Sequence, residues 1–252
     1  MSKASIVADL RKKVALSCRI VGTQGLTRGM LGHVSARIPG TDRVLIKGKG
    51  PDEEAVEFAA ERDVITVDLE GRVLEARKGL EAPNESAMHL VIYRKRPEVM
   101  SVIHTHPDWI VALTACEKPL IPMYAAYNPA GMKLVLDGIP IYPRSVTIIN
   151  RELAEDFMRV MGDKRVCILI GHGMTVAGGS VEEATVISLN LYELARIHGM
   201  AYAIGQPRPI PEADIFEYKR RSERSEGPLR ESSARYLSDW RYQVKLLQKR
   251  RQ

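Results

Sequence analysis

The apolar runs of this 252-residue chain are short: Val99–Ile103 and Val166–Ile170 span about five residues each, against the roughly 20 needed to cross a bilayer. Runs of that length suit buried strands, and between them the apolar residues recur at helical spacing. Ile6, Leu10, Val14, Cys18 and Val21 mark an opening helix that ends near Gly22. A strand is expected at 43–47, a hairpin over 64–75 turning at Glu70-Gly71, and further strands at 99–105, 133–137 and 166–170. Helices are expected from Asn84, as N-cap, to Arg96, over about 151–161, and over 181–204, where Ala184, Ile187, Leu191, Leu194, Ala195 and His198 form one face. No repeat or low-complexity linker divides the chain. The reading is one α/β domain over 1–206, followed by a basic arm over 207–252 that packs on the body or on a neighbouring copy.

Composition narrows the class. At 45% hydrophobic and 27% charged residues, the chain is ordinary globular protein. The N-terminal segment lacks the apolar core of a secretory signal, so a cytoplasmic location is expected, with no membrane partner. Cys18, Cys116 and Cys167 are widely spaced with no CxxC pair, which argues against a disulfide framework or a thiolate zinc site and leaves them buried and inert. Of the net charge of +6, residues 218–252 carry eleven Lys/Arg against four Asp/Glu, leaving 26 basic against 27 acidic residues elsewhere. Apolar and aromatic residues such as Tyr236, Trp240 and Val244 interrupt that basic tail, which favours a packed helix over a nucleic-acid-binding arm.

Chemistry concentrates on the histidines, of which there are six. His104 and His106 stand in an HTH on an expected strand, where alternate residues share a face and can approach one ion. His172 follows the strand 166–170 between two glycines, which let backbone crowd close to a ligand. Three imidazoles with an open position describe a catalytic metal site. Glu85 stands at a helix start. His89, one turn further, is expected on the helix surface, and His198 in the core.

In their order, GHVSAR (32–37), Pro83-Asn84-Glu85, HTHPDW (104–109) and GHG (171–173) resemble the motifs of the class II aldolase/adducin family over about residues 8–205. The resemblance implies a three-layer α/β/α fold with a central, mainly antiparallel sheet, and a homotetramer with sites between subunits. It implies a divalent metal on His104, His106 and His172, with Glu85 as the acid/base group. It also implies a proton-donating tyrosine from a neighbouring subunit, for which Tyr218, Tyr236 and Tyr242 are candidates. An intact set of these residues argues against a non-catalytic, adducin-like interaction module.

The sugar-phosphate members share a phosphate cradle that is altered here. Their Asn in GNVSxR is His33, their Thr-Gly stretch is IKGKGPDEE (46–54), and their Ser-Ser-Glu is Pro83-Asn84-Glu85. His33, Arg37, Lys47 and Lys49, with Asn84, are donors suited to carboxylates or a phenolate. Residues 28–54 resemble the family's decarboxylase branch, which includes 3-hydroxy-2-methylpyridine-4,5-dicarboxylate 4-decarboxylase and dihydroxyphthalate decarboxylases. The expected activity is therefore that of a carbon–carbon lyase: metal-dependent decarboxylation of an ortho-hydroxy pyridine or benzene dicarboxylate, with His33 and Glu85 catalytic. Mn2+ is the expected metal, with Zn2+, Co2+ or Fe2+ as alternatives. The alternative reaction is aldol cleavage or epimerisation of a sugar phosphate, or decarboxylation of a keto-acid phosphate. Trp109, Tyr124 and Tyr127 are candidates for stacking on a ring.

Overall fold

In the computed structural model, which describes residues 2–225 and 230–250, the opening segment forms α1 (Lys3–Thr23), whose first turn is capped by the Ser2 hydroxyl accepting from the Ser5 N–H. Four strands follow: β1 (His33–Arg37), β2 (Arg43–Lys47), β3 (Val64–Asp68) and β4 (Val73–Glu75). The β3–β4 turn lies at the expected place, with Gly71 at φ +87° and the Asp68 carboxylate accepting from the Glu70 and Arg72 N–H groups. Next come α2 (Ser86–Lys95), β5 (Ser101–Thr105), α3 (Asp108–Ala115) and α4 (Pro129–Asp137). Then follow β6 (Ile141–Tyr142), α5 (Arg151–Met161), β7 (Val166–Leu169), β8 (Gly173–Gly178) and α6 (Val181–Ile204). The chain ends in α7 (Glu212–Ser225) and α8 (Arg230–Lys249).

All eight strands join one sheet in the order β4-β3-β2-β1-β5-β8-β7-β6, antiparallel throughout except for the β6–β7 pair. Alternation along the strands splits the core in two. Val34, Leu45, Ile103 and Val176 pack against α1 and α6, while Ile46, Val67, Val102 and Ala177 pack against α2 and α5. The result is the expected three-layer α/β/α sandwich. Trp240 of α8 is buried in the first of these layers, where α8 lies along α1 and α6. No helix among the described residues is long and apolar enough to cross a membrane.

Several local expectations need correction. Residues 133–137 are the end of α4, not a strand. The Asn128 side chain accepts from the Gly131 N–H, and Pro129 supplies a preset φ in the first turn, so the local start signal outweighs the alternation in KLVLD. The N-cap of α2 is Glu85, and Asn84 instead accepts from Lys49 Nζ at 2.6 Å. Cys116 is exposed at the end of α3. Cys18 and Cys167 are buried, and burial pushes both thiols up to about 12.

Candidate metal centre

Because β1 and β8 both run antiparallel to β5, the start of β1, the end of β5 and the start of β8 meet at one end of the sheet. The register sets His33 opposite His104, and His104 opposite Thr175. These side chains point to the face covered by α2, whose N-terminus brings Glu85 over the same end. His106 follows β5 directly. His172 sits in the β7–β8 turn, where Gly171 takes φ +58°. A Cβ on Gly173 would overlap the Thr105 carbonyl and the His106 ring, so only glycine lets this turn close on the strand.

The result is a knot of ligand atoms. His104 Nε2 lies 2.9 Å from His106 Nε2, which lies 3.1 Å from His172 Nε2. Glu85 Oε2 is 3.2 Å from His104 Nε2, and Oε1 is 3.6 Å from His172 Nε2. One atom from each of Glu85, His104, His106 and His172 falls within 4.8 Å of the others, a set able to hold a metal ion. Outer contacts suit that use. His104 Nδ1 lies 3.1 Å from the Thr175 hydroxyl, which donates onward to Met88 Sδ and so can accept from an Nδ1–H, the tautomer that would leave the Nε2 lone pair for an ion. Glu85 Oε1 accepts from the Ile148 N–H at 3.0 Å.

Electrostatics point the same way. Burial lowers His106 to about 3, helped by the neighbouring His104 and His172, so its imidazole is neutral near pH 7. Burial opposes ionisation of Glu85, but His104, His172 and the Ile148 N–H outweigh it and hold the carboxyl well below its usual range.

Across residues 12–198 the sequence matches the profile described as Class II Aldolase and Adducin N-terminal domain. The chain belongs to the class II aldolase and adducin family. Within that family it is 36% identical over 214 residues to the 3,4-dihydroxyphthalate decarboxylase of Arthrobacter keyseri, covering 83% of this chain and 86% of that one. It is 38% identical over 208 residues to the Terrabacter sp. enzyme of the same name, covering 81% and 87%. Among solved structures, an aldolase II superfamily protein from Pseudomonas syringae superposes with a TM-score of 0.83 over 97% of this chain and 94% of that one, at 21% identity. L-fuculose 1-phosphate aldolase from Glaciozyma antarctica PI12 gives 0.79 over 98% and 93%, at 20% identity. At these identities the structural likeness shows the fold alone.

The remaining residues singled out from the sequence separate into those near the centre and those away from it. His33 stacks on His104 with ring centroids 5.5 Å apart. Lys49 and Asn84 are joined beside Glu85, and Lys49 also pairs with Glu81 at 3.1 Å. Lys47 is on the other face: it shares the side of Leu45, is buried, and pairs with Glu53 Oε2 at 2.8 Å. Arg37, at the far end of β1, spends its donors on the Tyr93 and Val99 carbonyls and lies over the Tyr93 ring. Both are therefore corrected to structural contacts. Tyr218 donates to the Pro129 carbonyl, Tyr236 accepts from Arg165 at 3.3 Å, and Tyr242 is exposed; none joins this chain's own cluster. Trp109 packs against Gly199, Tyr124 against His198, and Tyr127 donates to Glu193, so these rings belong to the α6 side rather than to the centre. His198 is a core histidine, bonded to the Leu194 carbonyl at 2.8 Å.

Sequence reasoning missed His89. It is fully buried, not on the helix surface, because α2 is sandwiched between the sheet and α5; its Nε2 lies 3.1 Å from His33 Nδ1. Ser35 and Tyr93 complete its surroundings. The signal was present: Glu85, His89 and Tyr93 follow at intervals of four on one helix face, and His33 and Ser35 alternate on one strand face.

Proposed function

We propose that this carbon–carbon lyase is a metal-dependent decarboxylase of an ortho-hydroxy aromatic dicarboxylate. The observation that carries the reading is the closed set of Glu85 with three histidine Nε2 atoms, bordered by His33 and Lys49 where the sugar-phosphate members have a phosphate cradle. Identity of 36% to a 3,4-dihydroxyphthalate decarboxylase supports the aromatic substrate class. His104, His106 and His172 would hold the divalent ion, Mn2+ as first candidate, with Zn2+, Co2+ or Fe2+ as alternatives. When bound, the ion supplies Lewis-acid stabilisation of negative charge on the phenolic oxygen and its neighbouring carboxylate.

The chain's own residues do the rest. Glu85 is held ionised and faces the centre with Oε2, so it can take the hydroxyl proton of the substrate. It returns that proton to the ring carbon as the bond to the departing carbon dioxide breaks. Burial at the end of the sheet excludes the bulk water that would otherwise screen these charges. His33 and Lys49, with Lys49 steadied by Asn84, bind the second carboxylate and so choose which carboxyl is lost. A homotetramer would bring a neighbour's tyrosine to each site, and Tyr242 is the candidate whose side chain this subunit leaves exposed.

The test is anaerobic turnover of the Mn2+-loaded protein on hydroxypyridine dicarboxylates, dihydroxyphthalates and common sugar phosphates, following carbon dioxide and aldehyde together. Chelator-sensitive carbon dioxide release from an ortho-hydroxy aromatic acid is expected. Aldehyde from a phosphorylated sugar instead would replace this reading with the aldolase one.

A further inference from the structure

Behind His33 a line of buried side chains runs from the metal centre into the α2 layer. His33 Nδ1 is 3.1 Å from His89 Nε2, His89 Nδ1 is 2.8 Å from Ser35 Oγ, and Ser35 Oγ is 2.8 Å from the Tyr93 hydroxyl. His89 and Ser35 are completely buried, and Tyr93 and His33 nearly so, so bulk water does not decide how their protons are arranged. We propose that Ser35 and His89 form a one-way hydrogen-bond relay, closed at its far end by Tyr93, that fixes His33 as an Nε2–H donor toward the substrate carboxylate, making Ser35 and His89 positioning residues. The use of that donor rests on the decarboxylase reading above.

The direction follows from counting protons. A phenol is a stronger hydrogen-bond donor than an alkyl hydroxyl, so Tyr93 donates to Ser35 Oγ. Ser35 then has one proton and two remaining acceptors, His89 Nδ1 at 2.8 Å and the Val102 carbonyl at 3.3 Å. The shorter contact takes it. A neutral His89 that accepts at Nδ1 carries its own proton on Nε2 and donates it to His33 Nδ1. His33 is left with its proton on Nε2. That atom has no partner among the described residues, and its ring lies stacked on His104 at an interplanar angle of 27°. With the relay reversed, His33 would present a lone pair to an incoming carboxylate and repel it. As arranged, it offers a neutral donor beside the ion-binding set.

The experiment uses the full-length protein, labelled with 15N-histidine and loaded with zinc as a diamagnetic ion. Long-range proton–nitrogen correlation spectra report which ring nitrogen carries the proton, and His33→Gln assigns the His33 signals. The expected wild-type pattern for His33 is protonated Nε2 and unprotonated Nδ1. Phthalate, an unreactive ortho-dicarboxylate, should shift the Nε2–H signal on binding. Ser35→Ala should convert His33 to a mixture of tautomers and weaken phthalate about tenfold with zinc content unchanged. Ser35→Thr, which keeps the hydroxyl, should restore both. Tyr93→Phe should retain the tautomer, because the Ser35 proton still goes to His89. A wild-type His33 protonated on Nδ1 would overturn the relay, as would an Ser35→Ala protein with unchanged spectrum and unchanged phthalate affinity. If Ser35→Ala does not fold, the wild-type spectrum decides. The spectrum needs no turnover: an intact relay in a protein that releases no carbon dioxide from any ortho-hydroxy aromatic dicarboxylate would sink the reaction and leave the relay standing.

Discussion

The two faces of the sheet bury ionisable groups in opposite ways. On the α1 face, Lys47 and Glu53 satisfy each other, with a further contact from Lys47 to the Gly48 carbonyl. On the α2 face, three imidazoles and Glu85 turn their ligand atoms toward one point, where no proton count satisfies them all as well as a cation would. Both clusters combine buried and half-buried members, so burial of charge does not mark a site. What separates them is convergence: the Lys47–Glu53 pair closes on itself, whereas the Glu85–histidine set turns one ligand atom from each of four residues toward a common point.

Substitutions on the two faces should therefore fail differently. The largest effect is expected for His172→Ala, which should lose bound metal by elemental analysis and reduce carbon dioxide release to background; full metal content with full activity would contradict the assignment. Glu85→Gln should keep the metal but lower kcat by roughly 10²–10⁴-fold, the usual range for a general acid–base group. An activity loss recovered by raising the metal concentration would make Glu85 a ligand only. Lys49→Met should raise KM for a dicarboxylate about tenfold while leaving kcat nearly unchanged, as expected for a charged contact made equally in ground and transition states. Lys47→Met should change turnover least. Its cost is stability in chemical denaturation, roughly 1–3 kcal/mol, because the partly buried Glu53 loses its charged hydrogen-bond partner; a KM change with normal stability would move Lys47 back to the substrate.

Acid should sharpen the same contrast. His89 and His106 are both lowered to about 3 from an ordinary value of 6.5, chiefly by burial. The unfolded chain therefore binds more protons than the folded one between these values. Stability of the metal-free protein should fall as pH drops from about 6.5 toward 3, by about 1.4 kcal/mol per pH unit for each such histidine. Urea denaturation at pH 7 and pH 5 checks this, and His89→Gln should flatten the slope.

How much of this was readable in advance differs by region. Elements with a clean apolar period stand out in the sequence: α1, α5 and α6 end within a few residues of their expected limits. β1 and β8 do not, because GHVSAR and GMTVAG are rich in glycine and polar residues that serve the site rather than the core. Strand β6 is two residues long, too short for any pattern. In the centre, the HTH spacing and the GHG turn marked His104, His106 and His172 as candidates, and the family resemblance joined them with Glu85 into one set. The partners of His33 were hidden because Met88 to Tyr93 are buried consecutively, which erases the amphipathic signal that separates inward from outward positions. Lys47 misled for the converse reason: a lysine at a strand end reads as available, and nothing local announces that Glu53 takes it.

The strand register has one further consequence. Side chains alternate along β5, so a slip of a single residue against β1 and β8 would carry His104 to the α1 face and Ile103 to the α2 face. The pairing that buries isoleucine and valine is the same pairing that assembles the ion-binding set. A misthreaded molecule of this kind would be poorly packed and would also lack the convergent Glu85–histidine cluster, so one register secures both the core and the candidate site.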